Sequence, residues 1–239
     1  MGIKTRVFSG PDRYGYLAEP EGRAKGGVVL LPTIFAINAF ATNYAQTLAN
    51  AGMTTAVWDI YAGHPPPKDY DEAISRARAL NDNDVVASIG KWIDMLHGTL
   101  HGAVAVLGFC IGGRFAIMQA ARDKRIKACA MAYPSIENPR LENQEMDSLT
   151  LAADIACPVL NIQPGKDHVS QPDTYAILKK ALFSRSAPTT WQFYPVAEHG
   201  FMHRPQPQEN VATTVLASPQ IIAFLRACLG DGAAGVDVA

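Results

Sequence analysis

Gly108-Phe-Cys110-Ile-Gly-Gly113 sets a thiol between glycines, where the apolar run Ala103–Phe109 meets the helix-like segment Arg114–Arg122. Gly-x-Cys-x-Gly-Gly has the form of a nucleophile elbow with cysteine in place of serine. A sharp strand-to-helix turn lifts the nucleophile out of the chain, and small neighbours let strand and helix approach closely. The following helix turns its positive end toward the sulfur, which favours thiolate over thiol. The Ile111 N–H is then free to face a substrate oxyanion. Two other readings stay open on these six residues alone: a buried inert thiol, or a glycine turn that binds phosphate.

A nucleophilic thiol needs a base, and the base needs an orienting carboxylate. In an elbow architecture the chain order is nucleophile, acid, histidine. Asp167 follows the apolar run Pro158–Gln163, and His199 follows the next one, Thr190–Tyr194. Asp167 could instead close an Asx turn. Among the other histidines, His64 lies in the proline-rich loop Gly63–Pro67. His97 and His101 precede a strand at its wrong end. His168 adjoins the acid, where adjacent side chains rarely align as acid and base, and His203 is a candidate either to contact substrate or to support a group that does.

These residues require elements that hold them at one edge. Gly27–Leu31, Met53–Tyr61, Ala103–Phe109, Ile126–Tyr133, Pro158–Gln163 and Thr190–Tyr194 are short, apolar and often β-branched, so they read as strands. Asn38–Asn50, Asp69–Leu80, Asp84–His97, Arg114–Arg122, Pro172–Phe183 and Ser218–Leu229 read as helices between and after them. Asn138–Thr150 reads as irregular. Strands apolar on both faces, alternating with helices, predict a parallel sheet covered on both sides. Ligands gather at the carboxyl ends of such strands. Cys110, Asp167 and His199 all follow strands.

The bulk composition narrows the classes. The chain has 239 residues and a net charge of -1, which gives no electrostatic footprint for nucleic acid. Its four cysteines, Cys110, Cys129, Cys157 and Cys228, form no C-x-x-C pair, so neither a zinc nor a redox site is expected. The polar N-terminus and the lack of a long uninterrupted apolar run predict a cytoplasmic protein with no membrane partner. One domain over residues 1–239 is expected, with a flexible tail from about residue 230.

The chain resembles the dienelactone hydrolase family of α/β-hydrolases. The matching pieces are Gly108-Phe-Cys-Ile-Gly-Gly113, Gly165-Lys-Asp167-His, His199-Gly-Phe201, Asp59-Ile-Tyr61 and Ile34-Phe35-Ala36-Ile37-Asn38. They span almost the whole chain in the family's order. The resemblance implies an α/β-hydrolase fold, with a mostly parallel central sheet and helices on both faces. It implies Cys110 as nucleophile, His199 as base, Asp167 as orienting acid, and an oxyanion hole from the N–H groups of Ile34 and Ile111. Thr33, Phe35, Tyr61, His203 and Arg204 are expected to contact substrate. The implied reaction is hydrolysis of a small lactone or carboxylic ester through a thioester, without metal or organic cofactor, by a monomer or small homo-oligomer. The family's Gln-Glu before Ile-Phe-Gly is here Pro32-Thr33, and its arginine four residues after the histidine is here His203, with Arg204 next. A substrate related to dienelactone, rather than dienelactone itself, is therefore expected. The alternative is a non-catalytic small-molecule binder or sensor on the same fold.

Overall fold

A strand apolar on both faces needs a helical layer on each side, and the core divides accordingly. In the computed structural model, which describes residues 2–10, 13–100, 102–204 and 206–230, eight strands form one sheet. They are β1 (Ile3–Gly10), β2 (Arg13–Pro20), β3 (Gly27–Leu31), β4 (Thr54–Trp58), β5 (Val104–Phe109), β6 (Ile126–Ala132), β7 (Val159–Lys166) and β8 (Thr189–Glu198). Their order is β1-β2-β4-β3-β5-β6-β7-β8. All neighbours from β4 to β8 run parallel, while β1–β2 and β2–β4 are antiparallel. Alternate residues serve opposite cores: Val29, Leu31, Val104 and Val106 face one, Val28, Leu30, Ala105 and Leu107 the other.

Among the described residues, seven α-helices surround the sheet: α1 (Ala39–Asn50), α2 (Tyr70–Arg78), α3 (Asp82–Leu100), α4 (Ile111–Arg122), α5 (Ser148–Leu151), α6 (Pro172–Phe183) and α7 (Gln208–Leu229). The first core is filled by α3, α4 and α6 through Trp92, Phe115 and Leu178; α1 and α7 fill the second through Tyr44, Leu48 and Ile221. Side-chain caps start the helices where the sequence offers them. Asn38 accepts from Ala41 N and Asp69 from Glu72 N, each satisfying a donor that the first turn leaves unpaired.

The structure departs from the sequence expectation in several places. The N-terminal hairpin β1–β2 was not expected: β1 carries Thr5, Arg6 and Ser9, is largely exposed, and lacks the apolar pattern of a core strand. The strand expected over Met53–Tyr61 stops at Trp58, because Asp59 turns the chain by accepting from Tyr61 N and Gly63 N. Strand β8 continues past Tyr194 to Glu198 despite Pro195, which an edge strand tolerates. Helix α4 begins at Ile111, immediately after the thiol. Helix α7 starts at Gln208, ten residues before the expected Ser218, and carries Pro219 inside. Gln220 Nε2 donates to Leu216 O on that turn. By length and composition α7 could span a membrane, with a mean hydropathy of 1.4, but it packs on the sheet through Ala217, Ile221 and Leu225. The expected C-terminal tail beyond Gly230 and His101 lie outside the described residues.

Two glycines show where backbone proximity is obligatory. A Cβ on Gly108 would sit 2.1 Å from Gly112 O, and one on Gly112 would sit 2.1 Å from Leu31 O. Both obstacles are backbone, which cannot swing aside. Gly90, inside α3, has nothing within 4 Å of an added Cβ. Gly108→Ala should therefore yield little folded protein. Gly90→Ala should raise unfolding stability by about 0.5–1 kcal/mol, the cost of helical glycine relative to alanine. Urea titration of the two variants against the parent chain checks both signs.

Candidate active site

Cys110 occupies the turn between β5 and α4 with φ 56° and ψ −123°, a conformation that costs a non-glycine residue about 1–3 kcal/mol. Neighbours hold it there. Cys110 N donates to Ala132 O at 3.2 Å, and Cys110 O accepts from Gly113 N and Ser135 N, each at 2.9 Å. The N–H of Ile111 has no hydrogen-bond acceptor among the described residues, and no side chain caps α4. The helix therefore presents unsatisfied donors beside the sulfur. Burial pushes the thiols of the other three cysteines up: Cys129 well above its ordinary value, Cys157 to about 11, and the half-exposed Cys228 upward.

Asp167 follows β7 and His199 follows β8, and the parallel register delivers both to the edge where Cys110 emerges. His199 Nδ1 lies 3.0 Å from Asp167 Oδ1 and 3.1 Å from Oδ2. Asp167 also closes an Asx turn, its Oδ1 accepting from Val169 N and Ser170 N. Tyr175, which sequence reasoning missed, donates its hydroxyl to Asp167 Oδ2 at 2.7 Å. Burial alone would raise the Asp167 carboxyl, but the His199 and Tyr175 hydrogen bonds hold it below the ordinary range. Burial opposes charge on His199 as well; the charges of Cys110 and Asp167 prevail and push its pKa up to about 9. His199 Nε2 is buried and has no partner among the described residues. Asn210, fully buried on α7, accepts from Glu198 N and fixes the residue before His199. His168 is the histidine that Asp167 does not engage; its ring stands edge-on to His199 at 6.0 Å.

Between β3 and α1 the chain makes a tight turn. Ala36 N donates to Thr33 O at 3.1 Å, with Ile34 and Phe35 at the centre and Ala36 at φ 57°. Thr33 Oγ1 accepts from Phe35 N at 3.3 Å. Thr33 is almost wholly buried, and its hydroxyl stabilises the turn locally.

Cys110, Ile111, His199, Thr33, Ile34, Phe35, His203 and Arg204 all line one cleft. Of the substrate contacts expected from the sequence, Tyr61 alone is not among the lining residues. It is 5% exposed, and its hydroxyl is turned to the backbone. His203 packs between Phe40 and Tyr133, at 5.6 and 6.0 Å. Burial, Arg204 and His199 together lower its pKa to about 4, so it is neutral at ordinary pH.

Arg78 and Arg114 line the cleft too. Arg114 is buried and forms a bidentate pair with Asp82, both contacts 2.7 Å, and donates to Met146 O at 3.1 Å. Asp82 Oδ2 accepts from Met146 N at 2.9 Å. The pair thus fastens the 134–147 segment, which forms one wall through Ser135, Glu137 and Gln144, to α3 and α4. Arg114 lay one turn beyond the thiol in the sequence, but nothing there tied it to Asp82. Among the described residues, no cluster of histidine, cysteine or carboxylate side chains is arranged to hold a metal ion.

With this geometry in hand, comparison with known proteins is specific. The profile of the Dienelactone hydrolase family matches residues 14–229. A carboxymethylenebutenolidase of Rhodococcus opacus is 28% identical over 210 residues, covering 84% of this chain and 81% of that protein. Carboxymethylenebutenolidase 1 of Cupriavidus pinatubonensis is 25% identical over 234 residues, covering 94% and 95%. The fold is similar to the crystal structure of a "Putative Dienelactone Hydrolase" of Klebsiella pneumoniae, with TM-score 0.82 and 21% identity over 93% of this chain and 99% of that one. The chain therefore belongs to the dienelactone hydrolase family, enzymes of the α/β-hydrolase fold that hydrolyse carboxylic esters and lactones.

Proposed function

We propose that Cys110 is the nucleophile, His199 the general base and acid, and Asp167 the orienting acid in hydrolysis of a small carboxylic ester or lactone. The observation that carries this reading is the state of His199. Its Nδ1 is tied to a carboxylate, while its Nε2 is buried, unpartnered and in the same cleft as Cys110. A buried nitrogen without a partner is uncommon unless it has work in a reaction.

The cycle follows from these positions. The Cys110 thiolate attacks the carbonyl carbon, and the carbonyl oxygen takes the negative charge. The N–H groups of Ile34 and Ile111 stabilise that oxygen more than the ground-state carbonyl, and this differential binding accelerates the step. As the tetrahedral species collapses, the C–O bond to the leaving group breaks and His199 Nε2 gives that oxygen its proton. In a lactone the leaving oxygen stays attached to the acyl chain. Water then enters, loses a proton to Nε2 and adds to the thioester carbonyl. The C–S bond breaks, the carboxylic acid departs, and the thiolate–imidazolium pair is restored.

The cleft's charge favours an anionic substrate. Arg114 is neutralised by Asp82, which leaves Arg78 and Arg204 without a paired carboxylate among the described residues, against Glu137 alone. Arg78 ends helix α2. No metal or organic cofactor is needed for the steps above. A protein of this site that only binds its ligand is the competing reading; turnover separates the two.

Cys110→Ala should abolish hydrolysis of p-nitrophenyl acetate while leaving the circular dichroism spectrum unchanged. Iodoacetamide should label Cys110 before Cys129, Cys157 and Cys228, whose thiols burial pushes up, as read by peptide mass spectrometry. Activity retained in Cys110→Ala would end the thiolate reading. Arg204→Ala should raise KM for a lactone bearing a free carboxylate about tenfold, the worth of one charged hydrogen bond, with KM for p-nitrophenyl acetate unmoved. The histidine gives a pH signature. His199 is held at about 9 in the folded chain against 6.5 ordinarily. The stability this contributes is complete below pH 6.5 and is lost as pH rises through 9. Urea midpoints should fall across that window, and fall less in Cys110→Ala, which lacks one of the charges holding the proton.

A further inference from the structure

The turn Thr33–Ile34–Phe35–Ala36 ties several of its polar backbone groups to nearby partners. Thr33 O accepts from Ala36 N. Phe35 N donates to Thr33 Oγ1. Ile34 O accepts from Tyr61 Oη at 2.7 Å. The N–H of Ile34, a residue that lines the cleft, has no acceptor among the described residues. The ties on either side of Ile34 therefore leave its N–H available to a bound oxyanion.

The Ile34–Phe35 peptide is tied at both ends, its carbonyl to Tyr61 and its N–H to Thr33. This fixes the peptide plane next to the one that carries the Ile34 N–H. Tyr61 is itself held firmly. Its backbone N donates to Asp59 Oδ1 at 2.9 Å, the Arg76 guanidinium lies 4.0 Å from its ring centre, and its hydroxyl also lies 3.2 Å from Ala73 O on α2. Burial raises its pKa to about 12, so the phenol stays a donor at working pH. Ala36, at φ 57°, sits where an L-residue pays roughly 1–2 kcal/mol of steric strain, so the turn needs external ties to keep its shape.

We propose that Tyr61 is a positioning residue which, together with the Thr33 hydroxyl, holds the Ile34–Phe35 peptide so that the Ile34 N–H stays aimed at the developing oxyanion. This rests on the hydrolytic reading above and assigns Tyr61 a place behind the reacting groups, in contact with no substrate atom. Thr33 acts in the same way. It locks the turn from inside the cleft wall and supplies no charge to the thiol.

The test separates oxyanion stabilisation from nucleophile formation. Tyr61→Phe removes one oxygen and keeps the ring. Thr33→Val removes the other tie at nearly constant shape. Each should lower kcat for p-nitrophenyl acetate about tenfold, less than the 100-fold or more expected for deleting an oxyanion donor outright. KM should change little. Alkylation of Cys110 by iodoacetamide forms no oxyanion, so its rate should match the parent chain in both variants. Ester turnover at the parent rate in either variant overturns the proposal. So does a fall in alkylation proportional to the fall in turnover, because that marks general damage to the site. Failure of the thiolate reading itself shows separately, as turnover surviving in Cys110→Ala.

Discussion

Three stretches of backbone meet at the base of the cleft with no side chain between them. Strand β5 passes against the first turn of α4 at Gly108, and that turn passes against the end of β3 at Gly112. This contact fixes where α4 begins, and so where its free N–H groups point. It also sets the spacing between the Cys110 turn and the Thr33–Ala36 turn, which follows β3 directly. Two turns that line the cleft, far apart in sequence, are thereby held at one distance by main-chain packing. Main-chain packing is the least adjustable contact a protein has. The strained φ of Cys110 is the local cost of that arrangement, borne by hydrogen bonds from three neighbouring peptides.

Around this frame the electrostatics are sorted with little redundancy. His203 is crowded into a neutral state by aromatic walls and a nearby arginine, so it adds shape without competing for protons. Tyr133, whose ring meets His199 edge-on at 5.4 Å, is wholly buried and stays protonated. Asp167 takes hydrogen bonds from a phenol and two backbone amides besides its histidine. One group in the cleft, His199, keeps an unpartnered buried atom and a pKa set between opposing influences.

The parallel sheet was legible because its strands are short, apolar on both faces and alternate with helices. Cys110 announced itself through flanking glycines, and Asp167 and His199 through their places after consecutive strands. Other features carried no local signal. The β1–β2 hairpin is polar and half exposed, and it exists because β2 lends apolar residues such as Leu17 and Ala18 to a sheet assembled elsewhere. The first half of α7 was hidden by Pro207 and Pro219, which ordinarily end helices. Tyr61 was readable as a family piece, but its place among substrate contacts was a matter of side-chain direction. Direction depends on the Asp59 turn, which sequence periodicity does not report. The pairing of Arg114 with Asp82 depends on where α3 starts, and the helix begins two residues before its pattern suggests.

That buried pair shapes how such a cleft could change over generations. Replacing either partner alone would strand a charge in the interior, a far larger penalty than replacing both with apolar groups. The wall formed by residues 134–147 is therefore insulated from gradual drift at its root, and its rim, at exposed Asn138 and Glu142, is free to vary. Laboratory evolution toward bulkier substrates should find its accessible steps along that rim, and should reach the root only by paired exchange.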